Sequence, residues 1–130
     1  EADGRRIRLS NYRGRVVAVV FWRLGGLRGA PDLRQLVEKM KGRPFDVLGV
    51  FYDDDVAEAR KDIQARGLIW PNILAEGRKI GERYHVRDSL ARLFIVDQDG
   101  IIRGRGEAMS EHYQRLVERV VSEAEAIAKP

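Results

Sequence analysis

The sequence contains no cysteine, and this absence excludes a whole class of chemistry. Without a thiol the chain has no sulfur nucleophile, no disulfide and no thiolate metal ligand, whatever its fold. No apolar run approaches the roughly 18 residues that a membrane-spanning helix needs, and no stretch has the pattern of a signal peptide. The sequence therefore predicts no membrane insertion by this domain, and it leaves the compartment unknown.

Blocks of like charge are also missing. The chain carries 24 Lys and Arg against 20 Asp and Glu, a net charge of +4, but the two signs are interleaved and no run of five like charges occurs. No aromatic-rich binding motif accompanies the basic residues. We therefore expect no nucleic-acid partner and interpret most charges as solvated faces.

Catalytic constellations are scarce. His85 and His112 lie far apart in sequence without a carboxylate at metal-ligand spacing, and no serine lies in a nucleophile-elbow pattern. The glycines of GGLRG (residues 25–29) lack both the Lys-Ser/Thr of a phosphate loop and the G-x-G-x-x-G spacing. The sequence predicts no cofactor.

Three consecutive carboxylates, Asp53, Asp54 and Asp55, leave a metal site open as an alternative, because carboxylates suit hard cations. Asp55 also stands three residues before Glu58, which is the spacing of a helix capping box. Acidic residues at a helix N-terminus suit the helix dipole as well. We interpret the three aspartates as the start of a helix and predict no metal.

The most informative stretch that is present runs from residue 16 to residue 31. A β-branched apolar run, residues 16–22, lacks polar alternation and predicts a central strand covered on both faces. A Gly-rich turn follows, and Pro31 opens a segment with apolar residues at helical spacing. In an open α/β domain the crevice between such a strand and the next helix is where a site would lie.

The remaining patterns predict the rest of a single domain over residues 1–130. We expect a half-buried strand or hairpin containing Ile7 and Leu9, a turn with Gly14 at positive φ, and a hairpin turn at residues 98–100. The other predicted strands are residues 45–52, 69–74 (short and broken by Pro71), 93–97 and 101–105, and the predicted helices are residues 31–41, 56–66, 77–84 and a last one after Ser110. The apolar stripe of the last helix is predicted as core packing and comprises Tyr113, Leu116, Val117, Val120, Ala124 and Ile127.

Five segments together resemble the thioredoxin-like thiol-disulfide oxidoreductases of bacteria and their alkyl hydroperoxide reductase and thiol-specific antioxidant relatives, the redoxin branch. They are DGRRIRLSNYRGRVVAVVFW, PFDVLGVFYDDD, GLIWPNILAEG, IGERYHVRD and LFIVDQDGIIRGRGE. The resemblance implies an α/β, thioredoxin-like fold, with a mixed four- to five-stranded sheet, helices on both faces and an N-terminal β-hairpin. It also implies oxidoreductase activity and work outside the cytoplasm, in the cell envelope.

Two departures set this chain apart from that family. The family follows its strand-Phe-Trp with a Cys-x-x-C motif, whereas Phe21-Trp22 is followed here by LGGLRGA, which is about three residues shorter and contains no cysteine. The family enters its next strand through a cis-proline, whose position falls on Ala91 when residues 94–97 are aligned with the family's Phe-x-x-Asp. A cis bond before Ala costs about 2.5 to 4 kcal/mol against about 0.5 to 1 before Pro, so we predict a trans bond and a reshaped docking edge.

These departures favour a domain without thiol redox activity, retained as a structural or interaction module with a protein or peptide partner. The former active-site region is predicted to supply any surviving binding site, because its arginines flank a helix N-terminus that favours anions. That region comprises Trp22, Arg23, Gly25, Gly26, Leu27, Arg28, Gly29, Ala91 and Arg92. The ring of Trp22 has an equally good interpretation as a strand-end core aromatic.

Two alternatives stay open at this point. The domain could belong to a redox protein whose thiols come from elsewhere, or whose cysteines were replaced by engineering, although replacement would have preserved the loop length. The GGLRG loop could instead bind a small anion. The start at Glu1, inside what resembles the family's first hairpin, suggests excision from a longer protein.

Overall fold

A five-stranded mixed sheet forms the centre of the domain. The computed structural model describes residues 9–23, 30–67, 69–74, 77–86 and 91–128. Within these ranges the strand order is β3-β2-β1-β4-β5. The strands are β1 (Val16–Trp22), β2 (Phe45–Phe51), β3 (Asn72–Ile73), β4 (Leu93–Val96) and β5 (Ile102–Gly106). β1 pairs with β2 in parallel and with β4 antiparallel, so the sheet is mixed.

Helices cover both faces of this sheet, as the resemblance implied. They are α1 (Ala30–Lys39), α2 (Val56–Arg66), α3 (Gly77–Arg83) and α4 (Glu111–Ala128). One core layer contains Leu36 of α1, Ala59 of α2 and Val120 of α4, whereas Ile80 of α3 packs into the layer on the opposite face. Among the described residues, no helix is both long enough and apolar enough to cross a bilayer.

β1 is buried along its whole length, which confirms the prediction of a central strand. Its residues alternate between the two core layers: Val20 and Trp22 lie in the layer with α1 and α4, and Phe21 lies in the layer with α3. Both faces are apolar because both are covered, so the usual alternation of polar and apolar residues has no place here.

Local signals in the sequence act as predicted at two turns. Asp55 caps α2, because its Oδ1 accepts a hydrogen bond from the backbone N–H of Glu58 at 3.1 Å. Gly100 adopts a φ of +83° in the β4–β5 turn, where its N–H donates to the carbonyl of Asp97 at 2.9 Å. A side chain at that φ would be strained, so the turn depends on glycine.

Two expectations are wrong. Leu9 was predicted in a strand or hairpin, yet it begins a 3-10 helix (Leu9–Tyr12), after which a bond from Arg15 N–H to the Tyr12 carbonyl at 3.0 Å closes the next turn. The rest of the predicted N-terminal hairpin, residues 1–8, lies outside the described residues. Ile127 was predicted in the core but is 68% exposed. It lies in the last turn of α4, where residues 126–128 are all exposed.

Candidate functional site

Three strand ends meet at one edge of the sheet, and this edge carries the candidate site. β1 and β2 are parallel, so their carboxyl ends lie side by side, and the antiparallel β4 starts beside them. The N–H of Phe21 donates to the carbonyl of Arg92 at 2.8 Å, and the N–H of Tyr52 donates to the carbonyl of Trp22 at 3.1 Å. Backbone pairing therefore sets the positions of the residues that follow β1 and β2 and precede β4.

Two arginines converge on one tyrosine at this edge. The guanidinium carbon of Arg92 lies 5.3 Å from the centroid of the Tyr52 ring, and that of Arg23 lies 5.8 Å from it, both within cation–π range. Arg92 Nε also donates to the Tyr52 hydroxyl at 2.8 Å. Asp53 faces Arg23, with 3.4 Å between Oδ2 and Nε. We call Arg23, Tyr52, Asp53 and Arg92 the arginine–tyrosine cluster.

The burial of this cluster is graded. Tyr52 is buried, Arg92 is half-buried and Arg23 is exposed. The tyrosine ring is thus held in the core, and the two guanidinium groups lie next to it, closer to the surface. Because a guanidinium keeps its positive charge at every physiological pH, the cluster presents a permanent cationic surface with one carboxylate at its side.

The three aspartates after β2 form ion pairs and a helix cap. Asp53 pairs with Arg23, Asp54 pairs with Arg78 at 2.6 Å, and Asp55 caps α2. In the part of the chain that the structure describes, no group of three or more His, Asp and Glu side chains has an arrangement that could hold a metal ion.

Trp22 directly precedes Arg23, but its side chain lies in the core layer on the opposite face of the sheet from the Tyr52 ring. Its side chain is 2% exposed, and its ring lies 4.9 Å from that of Phe51, centroid to centroid. Its Nε1 donates to Oδ1 of the fully buried Asn72 at 2.9 Å, and Asn72 Nδ2 donates to the carbonyl of Trp70 at 3.0 Å. A Cβ added to Gly49 would approach Asn72 Oδ1 to 1.9 Å, so this close packing requires a glycine at that position of β2. Of the two interpretations that the sequence allowed for the Trp22 ring, the structure therefore agrees with a core aromatic at the end of a strand.

Of the other residues predicted for the former active site, Ala91 lies beside the cluster, half-buried, and its carbonyl accepts a bond from Arg92 Nη1 at 3.0 Å. Gly25, Gly26, Leu27, Arg28 and Gly29 lie outside the described residues. No cis peptide bond occurs in the described ranges. The bond that precedes Ala91 involves Leu90, which is not among them, so the predicted trans geometry stays a prediction.

Sequence reasoning missed Tyr52 and Asn72. Tyr52 is the last residue of the strand predicted over residues 45–52, and a parallel pairing of that strand with residues 16–22 places it near Trp22 and Arg23. Such a pairing of the two apolar strands was not predicted, and it is the signal that could have found Tyr52. Asn72 offered no such signal, because one Asn after Pro71 is typical of a turn. Its contact with Trp22 spans 50 residues and depends on the tertiary packing.

The cluster can recognise a charged group, and it contains no thiol. Guanidinium groups donate in a planar fork that matches carboxylate and phosphate oxygens, and an aromatic ring next to them adds apolar contact area. Tyr and Arg are enriched where protein interfaces concentrate their binding energy. The arrangement is therefore suited to binding an acidic group of a partner.

One protein-family model matches most of this chain. The model of the AhpC/TSA family matches residues 1–105. No curated protein matches the sequence.

Solved structures share the fold. The thioredoxin domain of a thiol-disulfide oxidoreductase from Bacteroides vulgatus is 22% identical, with a TM-score of 0.78 over 92% of this chain and 88% of that one. A thiol:disulfide interchange protein from Bacteroides sp. is 24% identical, with a TM-score of 0.76 over 92% and 82%. A secreted thiol-disulfide isomerase from Corynebacterium glutamicum is 20% identical, with a TM-score of 0.77 over 92% and 78%. At these identities the likeness shows the thioredoxin-like fold, as the sequence predicted.

Proposed function

This chain belongs to the AhpC/TSA family and contains no cysteine, and from these two facts we propose that it is a non-catalytic member that binds a protein partner. Thiol-disulfide exchange proceeds by attack of a thiolate on a disulfide, so a chain without sulfur nucleophiles cannot perform it alone. The fold is retained while this chemistry is gone.

The arginine–tyrosine cluster carries the proposal. It lies at the carboxyl ends of β1 and β2, where open α/β sheets place their ligands. Tyr52 supplies a buried aromatic ring, and Arg23 and Arg92 supply positive charge next to it at the surface. This combination supports recognition of an acidic side chain on a protein or peptide.

The half-buried Asp53 at one side of the cluster restricts which partner fits. Asp53 lies 3.4 Å from Arg23, so it repels a second carboxylate placed on its own side. We therefore expect the partner to present one acidic group above the Tyr52 ring, on the side of Arg92, rather than an acidic run.

The binding test uses defined peptides and matched variants. Decapeptides with blocked termini that contain one, two or no Glu, and no other charged residue, are titrated into 15N-labelled protein, and amide shifts of residues 23, 52 and 92 are followed. We expect the one-Glu peptide to bind through these residues, and Arg23→Gln with Arg92→Gln to weaken binding about tenfold, because hydrogen bonds to charged groups are lost. Arg60→Gln with Lys61→Gln on α2 removes the same charge elsewhere and should leave the affinity within about twofold.

Arg92 is half-buried, so the single variant Arg23→Gln, at an exposed side chain, keeps the test valid if the double variant does not fold. Equal affinity for the peptides with and without Glu, or equal loss in the α2 control, would contradict the proposal.

The other candidate function is redox chemistry with thiols supplied by another protein or domain. The structural neighbours named as thiol-disulfide oxidoreductases favour it. Insulin reduction by the full-length gene product distinguishes the two: turnover that is abolished only by altering this domain would favour the redox function. Unchanged turnover after such an alteration would support the non-catalytic proposal. Small-anion binding at GGLRG remains a proposal about residues outside the described ranges.

An extracytoplasmic location is part of the same proposal. It is supported by the secreted isomerase from Corynebacterium glutamicum, which shares the fold. Expression of the parent gene with a fusion reporter active only outside the cytoplasm tests it.

A further inference from the structure

A second basic surface lies between the edge strand β5 and helix α4. A cleft of about 530 Å³ opens there. Arginines line it from both elements: Arg103 and Arg105 from β5, and Arg115 and Arg119 from α4. His112 and Tyr113 add two rings to its lining. We call it the arginine cleft.

Glycines in β5 allow α4 to approach the strand closely beside this cleft. A Cβ added to Gly104 would lie 2.5 Å from Leu116 Cδ2, and one added to Gly106 would lie 2.3 Å from the Tyr113 hydroxyl oxygen. The two α4 side chains thus pack directly on the strand backbone. His112, Arg115 and Arg119 follow at helical spacing and bring their side chains to one face of α4.

Two of the four guanidinium groups are held by carboxylates, and two are not. Arg103 pairs with the buried Asp97 at 3.3 Å and with Glu123 at 3.2 Å. Arg115 pairs with Glu111, but both side chains are mostly exposed and such pairs contribute little. Over the described ranges, the Arg105 and Arg119 side chains form no ion pair. The cleft therefore holds positive charge in excess of its own counter-ions.

Tyr113 restricts the kind of ligand that fits. The Gly106 carbonyl accepts from Arg92 N–H and so points towards β4, and the carbonyl of the preceding Arg105 consequently points to the open side of β5. The Tyr113 hydroxyl donates to this Arg105 carbonyl at 2.7 Å. An extended peptide that added to β5 as a further strand would need the same carbonyl, so the contact disfavours a peptide and favours a compact anion.

We propose that the arginine cleft binds a soluble small molecule that carries two adjacent phosphate groups. Arginine forks match phosphate oxygens, and several forks from two rigid elements suit an anion with oxygen atoms in two tetrahedra better than one with a single planar carboxylate. A volume of about 530 Å³ lies within the usual range of small-molecule sites and leaves room for the remainder of a diphosphate ester.

Isothermal titration calorimetry with inorganic pyrophosphate, at low and at physiological salt, tests the proposal. We expect Arg115→Gln with Arg119→Gln to weaken pyrophosphate binding at least about tenfold, and orthophosphate to bind at least about tenfold more weakly than pyrophosphate, because fewer charged hydrogen bonds form. The matched control, Arg60→Gln with Lys61→Gln, should change the affinity less than about twofold.

Equal loss in the cleft variant and in the control would overturn the proposal, since it would mean general charge attraction. Equal affinities for pyrophosphate and orthophosphate, or a stronger response of the cleft to a Glu-containing decapeptide than to pyrophosphate, would overturn it as well. Arg23→Gln should leave pyrophosphate binding unchanged, so the outcome is separable from that of the arginine–tyrosine cluster.

Discussion

The arginine–tyrosine cluster and the arginine cleft present the same side chain in opposite settings. In the cluster, Arg23 and Arg92 lie against a buried ring, and backbone bonds between central strands position them. In the cleft, the arginines come from an edge strand and a helix surface, and much of their charge faces open space.

The difference indicates that the surroundings of the arginines decide which kind of ligand each surface is suited to bind. In the cluster, two positive charges lie beside a buried aromatic ring, so a ligand can make both charged and apolar contacts. This combination suits a protein partner whose interface excludes water. A cleft with unbalanced positive charge and a blocked strand edge suits a small, highly charged anion. The following predictions compare residues buried in the core near the cluster with residues at the edge strand that lines the cleft.

The largest effect is expected at Asn72, whose buried side chain holds the indole of Trp22, the residue before Arg23 of the cluster. Asn72→Ala leaves the Trp22 indole N–H buried without its acceptor, and it also opens a cavity. We expect a loss of about 3 kcal/mol in the free energy of unfolding, measured by urea denaturation.

A double-mutant cycle with Trp22→Phe serves as the control for Asn72. Because the phenylalanine ring has no N–H to satisfy, Asn72→Ala should cost at least about 1 kcal/mol less in that background. If the losses in unfolding free energy are additive, the buried hydrogen bond between Trp22 and Asn72 does not stabilise the fold.

An intermediate effect is expected at Asp97, which holds Arg103 at the cleft. Burial raises the pKa of Asp97, but hydrogen bonds from the N–H groups of Ile101 and Asp99 and the guanidinium of Arg103 outweigh burial and hold this pKa below its ordinary value. The carboxylate therefore stabilises the fold above the unfolded-state pKa of about 3.9, and this contribution is lost as pH falls through the folded-state pKa.

We expect Asp97→Asn to cost about 1 to 2 kcal/mol at pH 7, with the difference from the parent shrinking as pH falls below about 4. Urea unfolding at a series of pH values measures it. Carboxylates that share no partner with Asp97 cancel in the difference. A difference that stays constant across this range would contradict the proposed role of the carboxylate charge.

The smallest effect is expected at Gly106, where Tyr113 packs on the edge strand. Gly106→Ala places a Cβ against the tyrosine ring, which is half-buried and able to move outward. We expect a loss of about 1 kcal/mol, together with loss of the Tyr113 bond to the Arg105 carbonyl.

Adding Tyr113→Ala to Gly106→Ala is the control. Removal of the ring removes the clash, so Gly106→Ala should cost about 0.5 kcal/mol or less in that background. An undiminished cost would place the strain in the strand backbone instead of in this contact.

Much of the framework could be predicted, because its signals are local. The apolar run of β1, the Asp55 cap and the turn glycine Gly100 each depend on a few neighbouring residues. Leu9 was predicted in a strand or hairpin because charged and apolar residues alternate over residues 6–9, whereas it begins a 3-10 helix. Ile127 continues the apolar stripe of α4, yet it lies in the last turn, where the side chains are exposed.

The candidate site was predictable only in part. Arg23 and Arg92 were assigned to one region through the family resemblance, and the structure places both guanidinium groups within cation–π range of the Tyr52 ring. Neither Tyr52 nor the Asn72 contact was found, and the arginine cleft was not anticipated. Each depends on which residues of separate strands and helices become neighbours.

The sequence by itself determined the family, the order of strands and helices, and the absence of thiol chemistry, since composition and short-range patterns suffice for these. Only the tertiary structure decided where the charges gather. Arginines separated by tens of residues become neighbours through strand register and helix packing, and no local pattern specifies those long-range contacts.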